Sequence, residues 1–151
     1  MASTLVDANL KVKITETINL NGKDQGSTNT LTISSINEVS KRIVNCPASE
    51  ITIISFGAAN AAGTYIESDV RYIRLTNLDA ANFVTLNIEG DSSTDFSVRL
   101  DPGASFLITS SSSTGVVDYA DISGATLEDL TTIKATADTG ACSVELFVAS
   151  A

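Results

Sequence analysis

Between positions 70 and 108 the chain alternates apolar and polar residues in four runs, each stopped by residues that turn. After Leu78-Asp79-Ala80-Ala81-Asn82, the residues Val84, Leu86 and Ile88 alternate with Thr85 and Asn87. After Gly90-Asp91-Ser92-Ser93, Phe96, Val98 and Leu100 alternate with Ser97 and Arg99. After Asp101-Pro102-Gly103, Phe106 and Ile108 keep the same period. A period of two belongs to a strand buried on one face, and short loops between such runs make the neighbours antiparallel. Glycine after proline supplies the positive φ that a type II turn needs at its third position.

The same period extends to both sides. Residues 1–9 have no period and read as an N-terminal arm, ahead of a single β-sandwich domain over residues 10–151. Residues 10–20 form one strand, with Val12, Ile14, Ile18 and Leu20 on one face and Lys11, Lys13, Thr15, Thr17 and Asn19 on the other. Glu16 falls on the apolar side, which fits a sheet edge or a contact between subunits. Residues 21–26 turn, and residues 30–36 return with Leu31 and Ile33 inward. Residues 38–45 are a further strand, stopped by Cys46-Pro47 because proline donates no ladder hydrogen bond. Residues 51–56 (ITIISF) are apolar on both faces, as a central strand would be.

The small-residue loop at 57–63 lacks the Gly-Lys-Ser/Thr ending of a phosphate loop and reads as a turn. Residues 116–129 carry no clear period; a short helical turn over residues 127–130 or an irregular excursion fits them. Residues 130–137 and 142–149 close the chain as a hairpin. Cys142, Val144, Leu146 and Val148 point inward there, and Phe147 points outward as a candidate contact residue. About nine or ten strands at this spacing imply an all-β, single-domain antiparallel sandwich with jelly-roll-like connections.

Composition narrows what such a sandwich does. At 151 residues and 15.7 kDa, one core of ordinary size forms without a disulfide or metal staple. Only 18% of residues are charged, against roughly 25% in a typical domain. A weakly charged Ser/Thr/Asn surface suits a protein packed against neighbours, and it equally suits the exposed faces of ordinary strands. Residues 1–76 balance seven Lys/Arg with seven Asp/Glu, whereas residues 77–151 set two Lys/Arg against eleven Asp/Glu. That acidic half argues against nucleic acid and against an anionic membrane, both of which need clustered cations. It fits a basic protein partner, or simple solubility. The opening residues are too polar for a secretory signal, and no apolar run approaches about 18 residues, so synthesis in a cytoplasm without export by that route is expected.

Catalytic chemistry finds little to work with. Histidine is absent, which removes Ser/His/Asp and Cys/His pairs and histidine zinc sites. Cys46 and Cys142, with 95 residues between them, read as small apolar core residues. Carboxylates cluster at Glu89/Asp91/Asp95, Asp118/Asp121 and Glu128/Asp129, but without tryptophan and with three tyrosines the aromatic platforms of a glycosidase are missing. The loop at 89–95 offers oxygen ligands for Ca²⁺ without the twelve-residue spacing of a calcium loop, and reads as a solvated turn. Of Arg71 and Arg74, one is expected near the apolar side, paired with a local carboxylate. No catalytic, cofactor-binding or metal-ligating residue is assigned, no cofactor is expected, and the chain is read as a non-enzyme.

The run Arg74-Leu75-Thr76-Asn77-Leu78, the turn Arg99-Leu100-Asp101-Pro102-Gly103 and the ending Ile133-Lys134-Ala135-Thr136-Ala137 with Val144-Glu145-Leu146-Phe147-Val148 carry a resemblance. Over about residues 70–151 the arrangement resembles small all-β accessory virion proteins of tailed bacteriophages. These comprise capsid decoration (cement) proteins and small tail or neck components. The resemblance implies a structural virion protein that binds the outside of a capsid and bridges subunits of the major capsid protein, often as a homo-oligomer such as a trimer. The other functions it leaves open are a tail or neck component and, from the fold alone, a carbohydrate-binding module.

Overall fold

The structure is a computed structural model and describes residues 4–59, 61–91, 95–110 and 127–151. Thirteen strands occur among them: β1 Ala8–Glu16, β2 Asn19–Leu20, β3 Lys23–Asp24, β4 Ser27–Ile36, β5 Glu38–Cys46, β6 Ile51–Gly57, β7 Thr64–Ile66, β8 Val70–Asn77, β9 Val84–Gly90, β10 Asp95–Leu100, β11 Ser105–Thr109, β12 Leu130–Ala137 and β13 Cys142–Ser150. No helix occurs in the described residues. The fold is an all-β sandwich. One sheet runs β10-β9-β12-β6-β7 and the other β11-β8-β13-β5. The antiparallel pairs β5–β13, β6–β12, β8–β11 and β9–β10 nest one inside the next. That nesting is the double Greek key of a jelly roll.

The alternation seen in the sequence is what fills the space between the sheets. Val84, Leu86 and Ile88 of β9 and Ile133 and Ala135 of β12 face Ile73 and Leu75 of β8 and Val144, Leu146 and Val148 of β13. All are essentially inaccessible to water. Burying each of the larger ones contributes about 2 kcal/mol. Ile53 and Ile54 both point into this core, because the pairing of β6 with β12 slips between Ile133 and Lys134 and leaves a bulge there. The bulge explains why ITIISF reads as apolar on both faces.

The turns obey their residues. Asp101-Pro102-Gly103-Ala104 is closed by the Ala104 amide donating to the Asp101 carbonyl at 2.9 Å, with Gly103 at φ 75°. Asn21 and Gly22 both take positive φ (51° and 77°), the two-residue hairpin turn that Asn-Gly favours.

Two expectations need correction, and one short strand was not foreseen. The strand expected over residues 10–20 stops at Glu16, and residues 19–24 form a separate small hairpin, β2–β3. At that point Gly26 passes so close to Glu16 that a Cβ there would lie 2.2 Å from the Glu16 carbonyl oxygen, an approach only glycine allows. The helical turn over residues 127–130 is absent, since Glu128 sits in a β-bridge and Leu130 opens β12. After the small-residue loop, β7 pairs parallel to β6, an edge strand too short to show a period. The low-complexity serines at 111–113 and most of the stretch at 116–129 lie outside the described residues.

Candidate interaction surface

The strands β1 and β4 form a two-stranded sheet of their own, outside the sandwich. The chain passes from β4 to the sandwich through Ser35, held at φ 61°, and the Asn37 amide, which donates to the Ser150 carbonyl at 3.0 Å. Register sets Leu10 opposite Ile33, Val12 opposite Leu31 and Ile14 opposite Asn29, so one hairpin face is aliphatic. Its proximal half lies on the outer face of the four-stranded sheet. There Leu10, Val12, Leu31, Ile33 and Ile36 pack with Tyr72, Leu107, Phe147 and Ala149 as a second, smaller core. Phe147 does point away from the main core, as expected, and its own chain's hairpin covers it. Its ring meets Tyr72 edge to face, with centroids 5.8 Å apart and planes at 72°.

Toward the hairpin tip, three aliphatic side chains are left about half exposed among the described residues. Ile14 is 43% exposed, Ile18 52% and Leu20 59%. On the edge strand β5, Val39 and Ile43 are 56% and 61% exposed. Together with Leu78 and Leu127 and the arm's Leu5 and Val6, these are the large aliphatics left to solvent among the described residues. Five of these nine fall within residues 14–20 or on β5. Isolated exposed apolar residues need no explanation, whereas grouped ones mark contact sites.

Between hairpin and sheet runs a groove lined by Leu10, Lys11, Val12, Lys13, Tyr72, Arg74 and Phe147. Of the two arginines, one of them expected to pair with a local carboxylate, Arg74 does so: its guanidinium donates to Glu145 and to the Thr76 hydroxyl. Lys41 lies 3.4 Å from the other Glu145 oxygen. The hydrogen bond from Arg74 holds the Glu145 carboxyl below its usual range, and that from Lys41 acts the same way. Burial pushes the Tyr72 phenol up. Arg71 donates to the Ser68 carbonyl.

The outer face of the five-stranded sheet has the opposite character. Lys134 lies 2.6 Å from Glu89 and 3.7 Å from Glu50, while the Thr132 hydroxyl donates to Glu89 at 2.6 Å. The Ser97 hydroxyl donates to Asn87 at 3.2 Å. Glu89 is thereby held below the usual range, by Lys134 first and Thr132 second. Glu89, Asp91 and Asp95 line one shallow hollow with Gly90 and Thr131, and residues 92–94 of that loop lie outside the described residues. Among the described residues no three Asp, Glu or Cys are grouped as a metal ion requires. Asp118 and Asp121 lie outside the described residues, whereas Glu128 and Asp129 lie at the entry to β12.

Two constellations escaped the sequence. Asn77, fully buried, donates to the carbonyls of Asn82 (2.9 Å) and Leu100 (3.0 Å) and accepts from the Asp79 amide (2.9 Å). Asp79 in turn accepts from the amides of Ala81 and Asn82, which hold its carboxyl below the usual range. Cys46 and Cys142 are the second: both thiols are free and fully buried, and they sit directly opposite one another in the β5–β13 ladder. Burial, and then the neighbouring Cys142, push the Cys46 thiol up to about 11.

The fold and surface define a class: a jelly-roll β-sandwich with a projecting, aliphatic-faced hairpin. No family model matches the chain, and no curated protein does. Among solved structures it is similar to a chain from the work described as "Bacillus endospore appendages form a novel family of disulfide-linked pili". The TM-score is 0.45 at 10% identity, over 99% of this chain and 92% of that one.

Proposed function

We propose that this chain is a structural adhesion protein, a decoration or cement protein that binds the outside of a tailed-phage capsid and bridges subunits of the major capsid protein. The observation that carries the reading is the distal hairpin. Ile14, Ile18 and Leu20 leave aliphatic surface open toward the hairpin tip, and Val39 and Ile43 leave more on the edge strand β5. A folded domain gains no stability from leaving that surface wet; a neighbouring subunit that covers it gains about 1 kcal/mol or more per side chain. The edges of β1, β4 and β5 that pair with no other strand among the described residues allow the partner to add a strand. Repeated over a symmetric shell, contacts of this modest size bind through avidity.

The resemblance to phage accessory proteins supplies the identity of the shell, and the low charge content agrees with life in a packed assembly. The test is co-sedimentation of the purified chain with emptied capsids of the virus that encodes it, followed by immunogold labelling of virions. Saturable binding, with label spread over the head, supports the reading. Label confined to the tail or neck, or no binding to shells, overturns it in favour of a tail component or of some other role.

A further inference from the structure

We propose that Cys46 and Cys142 are a latent disulfide site: a thiol pair that a small external disulfide, such as oxidised glutathione, converts into a covalent clamp between the first and last strands of the sandwich. The inference stands on register and is independent of the partner the surface binds. Cys142 of β13 is the direct antiparallel partner of Cys46 of β5. Residues opposite one another in such a ladder send their side chains to the same face. Both belong to the same buried core cluster and are fully inaccessible, so both thiols face inward between the sheets.

Opposed residues in an antiparallel ladder have Cα atoms roughly 4.5 or 5.5 Å apart, depending on whether the pair exchanges hydrogen bonds. Disulfides span Cα separations of about 4.4–6.8 Å. The Leu78 amide donates to the Ser143 carbonyl, so Ser143 bonds toward β8 and Cys142 toward β5, which makes Cys46 and Cys142 the hydrogen-bonded kind of pair. Their Cα separation suits a disulfide, while the Cβ atoms of such a pair must close by roughly 1 Å, a small approach of β5 to β13.

The chemistry balances. The Cys46 thiolate attacks one sulfur of the external disulfide, forming a mixed disulfide and releasing one small thiolate. The Cys142 thiolate then attacks the Cys46 sulfur of that intermediate, closing the Cys46–Cys142 bond and releasing the second small thiol. Two protein thiols are oxidised and one external disulfide is reduced to two thiols.

Burial governs when this happens. Thiols held in their neutral form away from solvent react slowly, so the folded protein keeps them reduced. A chain folding in, or opening under, oxidising conditions closes the bond, and burial then shields it from reductant. The bond encloses every sandwich strand from β6 to β12 in one loop, because β5 ends at Cys46 and β13 begins at Cys142. A loop of that length is the case in which a cross-link removes most freedom from the unfolded chain.

The test refolds the full chain from denaturant in a glutathione redox buffer, with a parallel sample in a phosphine reductant. Each is alkylated under denaturing conditions, mapped by peptide mass spectrometry and melted. The expected result is a Cys46–Cys142 cross-linked peptide in monomeric protein and a melting temperature roughly 10 °C above the reduced form. Cys46→Ala and Cys142→Ala should each melt at one temperature in both buffers. Quantitative alkylation of both thiols, persistent glutathione adducts, intermolecular disulfides, or an intramolecular bond that leaves the melting temperature unchanged or lower would each overturn the proposal.

Discussion

The side-chain amide of Asn77 donates to the backbone carbonyl of Leu100 at 3.0 Å and so ties together two turns that lie apart in sequence. The same amide holds Asn82, and the Asn77 backbone bonds the Pro-Gly turn in both directions: its amide donates to the Ala104 carbonyl, and its carbonyl accepts from the Gly103 amide, each at 3.0 Å. One buried asparagine thus secures the end of the sandwich where β8 leaves for β9 and β10 leaves for β11.

Replacing it leaves buried carbonyls and an amide without partners. Asn77→Ala is expected to cost about 2–4 kcal/mol, a drop of roughly 10 °C in melting temperature. Asn77→Asp is the sharper probe, because at neutral pH it sets a carboxylate against two carbonyl oxygens. That site raises the folded-state pKa of the new acid, so its penalty is full above that pKa. Stability recovers relative to wild type as pH falls through it, since the protonated acid donates again. Melts at pH 7 and pH 5 measure both effects.

The wild-type chain should respond to acid in the opposite sense. Glu145, Glu89 and Asp79 all have folded-state pKa values below their ordinary 4.5, 4.5 and 3.8, through hydrogen bonds from Arg74, Lys134 and the Asn82 amide respectively. A depressed carboxyl contributes stability that is present above its unfolded pKa and is lost as pH falls through the folded one. Melting temperature is therefore expected to hold steady from neutral pH down to about pH 5 and to decline below the ordinary carboxylate values. Glu145→Gln should flatten part of that decline, a comparison that thermal melts across pH 2–6 would make.

Phe147 and Tyr72, in edge-to-face contact on the outer face of the sandwich, form part of the small core in which Leu10 and Val12 of the hairpin are packed. Phe147→Ala is expected to loosen β1 and β4 while leaving the main core intact. Limited proteolysis should then cut within residues 8–36 at least tenfold faster, with the sandwich surviving as a stable fragment. Loss of the whole domain at the same protease dose would mean that the hairpin and the sandwich unfold as one unit.

Gly26→Ala tests the close approach of Gly26 to Glu16. The new methyl group would meet the Glu16 carbonyl, so the ladder must open there. Hydrogen exchange of the amides around Thr15 and Thr28 should accelerate, with no change at Ile88 or Leu146. Uniform protection across both variant and wild type would show that the close approach is relieved without cost.

The sandwich was legible because its strands are half-buried and its turns are chemically explicit. Val84 to Ile88 and Phe96 to Leu100 alternate in step with their burial, and Gly103 takes the conformation that Pro102-Gly103 announces. Residues 10–36 show the same alternation, yet a period of two says only that one face is apolar. It cannot say whether another sheet or open solvent meets that face, and so the projecting hairpin was not visible. Asn77 and the Cys46–Cys142 pair depend on contacts between distant parts of the chain, which no local period encodes. Asn21-Gly22 between alternating runs was the one local sign of a hairpin able to stand alone.

Adhesion through the distal hairpin is tested most directly by the variant Ile14→Ser/Ile18→Ser/Leu20→Ser in co-sedimentation with emptied capsids, alongside a thermal melt. These side chains touch neither core, so the melt should match wild type, while affinity for the shell should fall about a hundredfold, near 1 kcal/mol for each of the three. Wild-type affinity in the folded triple variant would contradict a hairpin-borne contact.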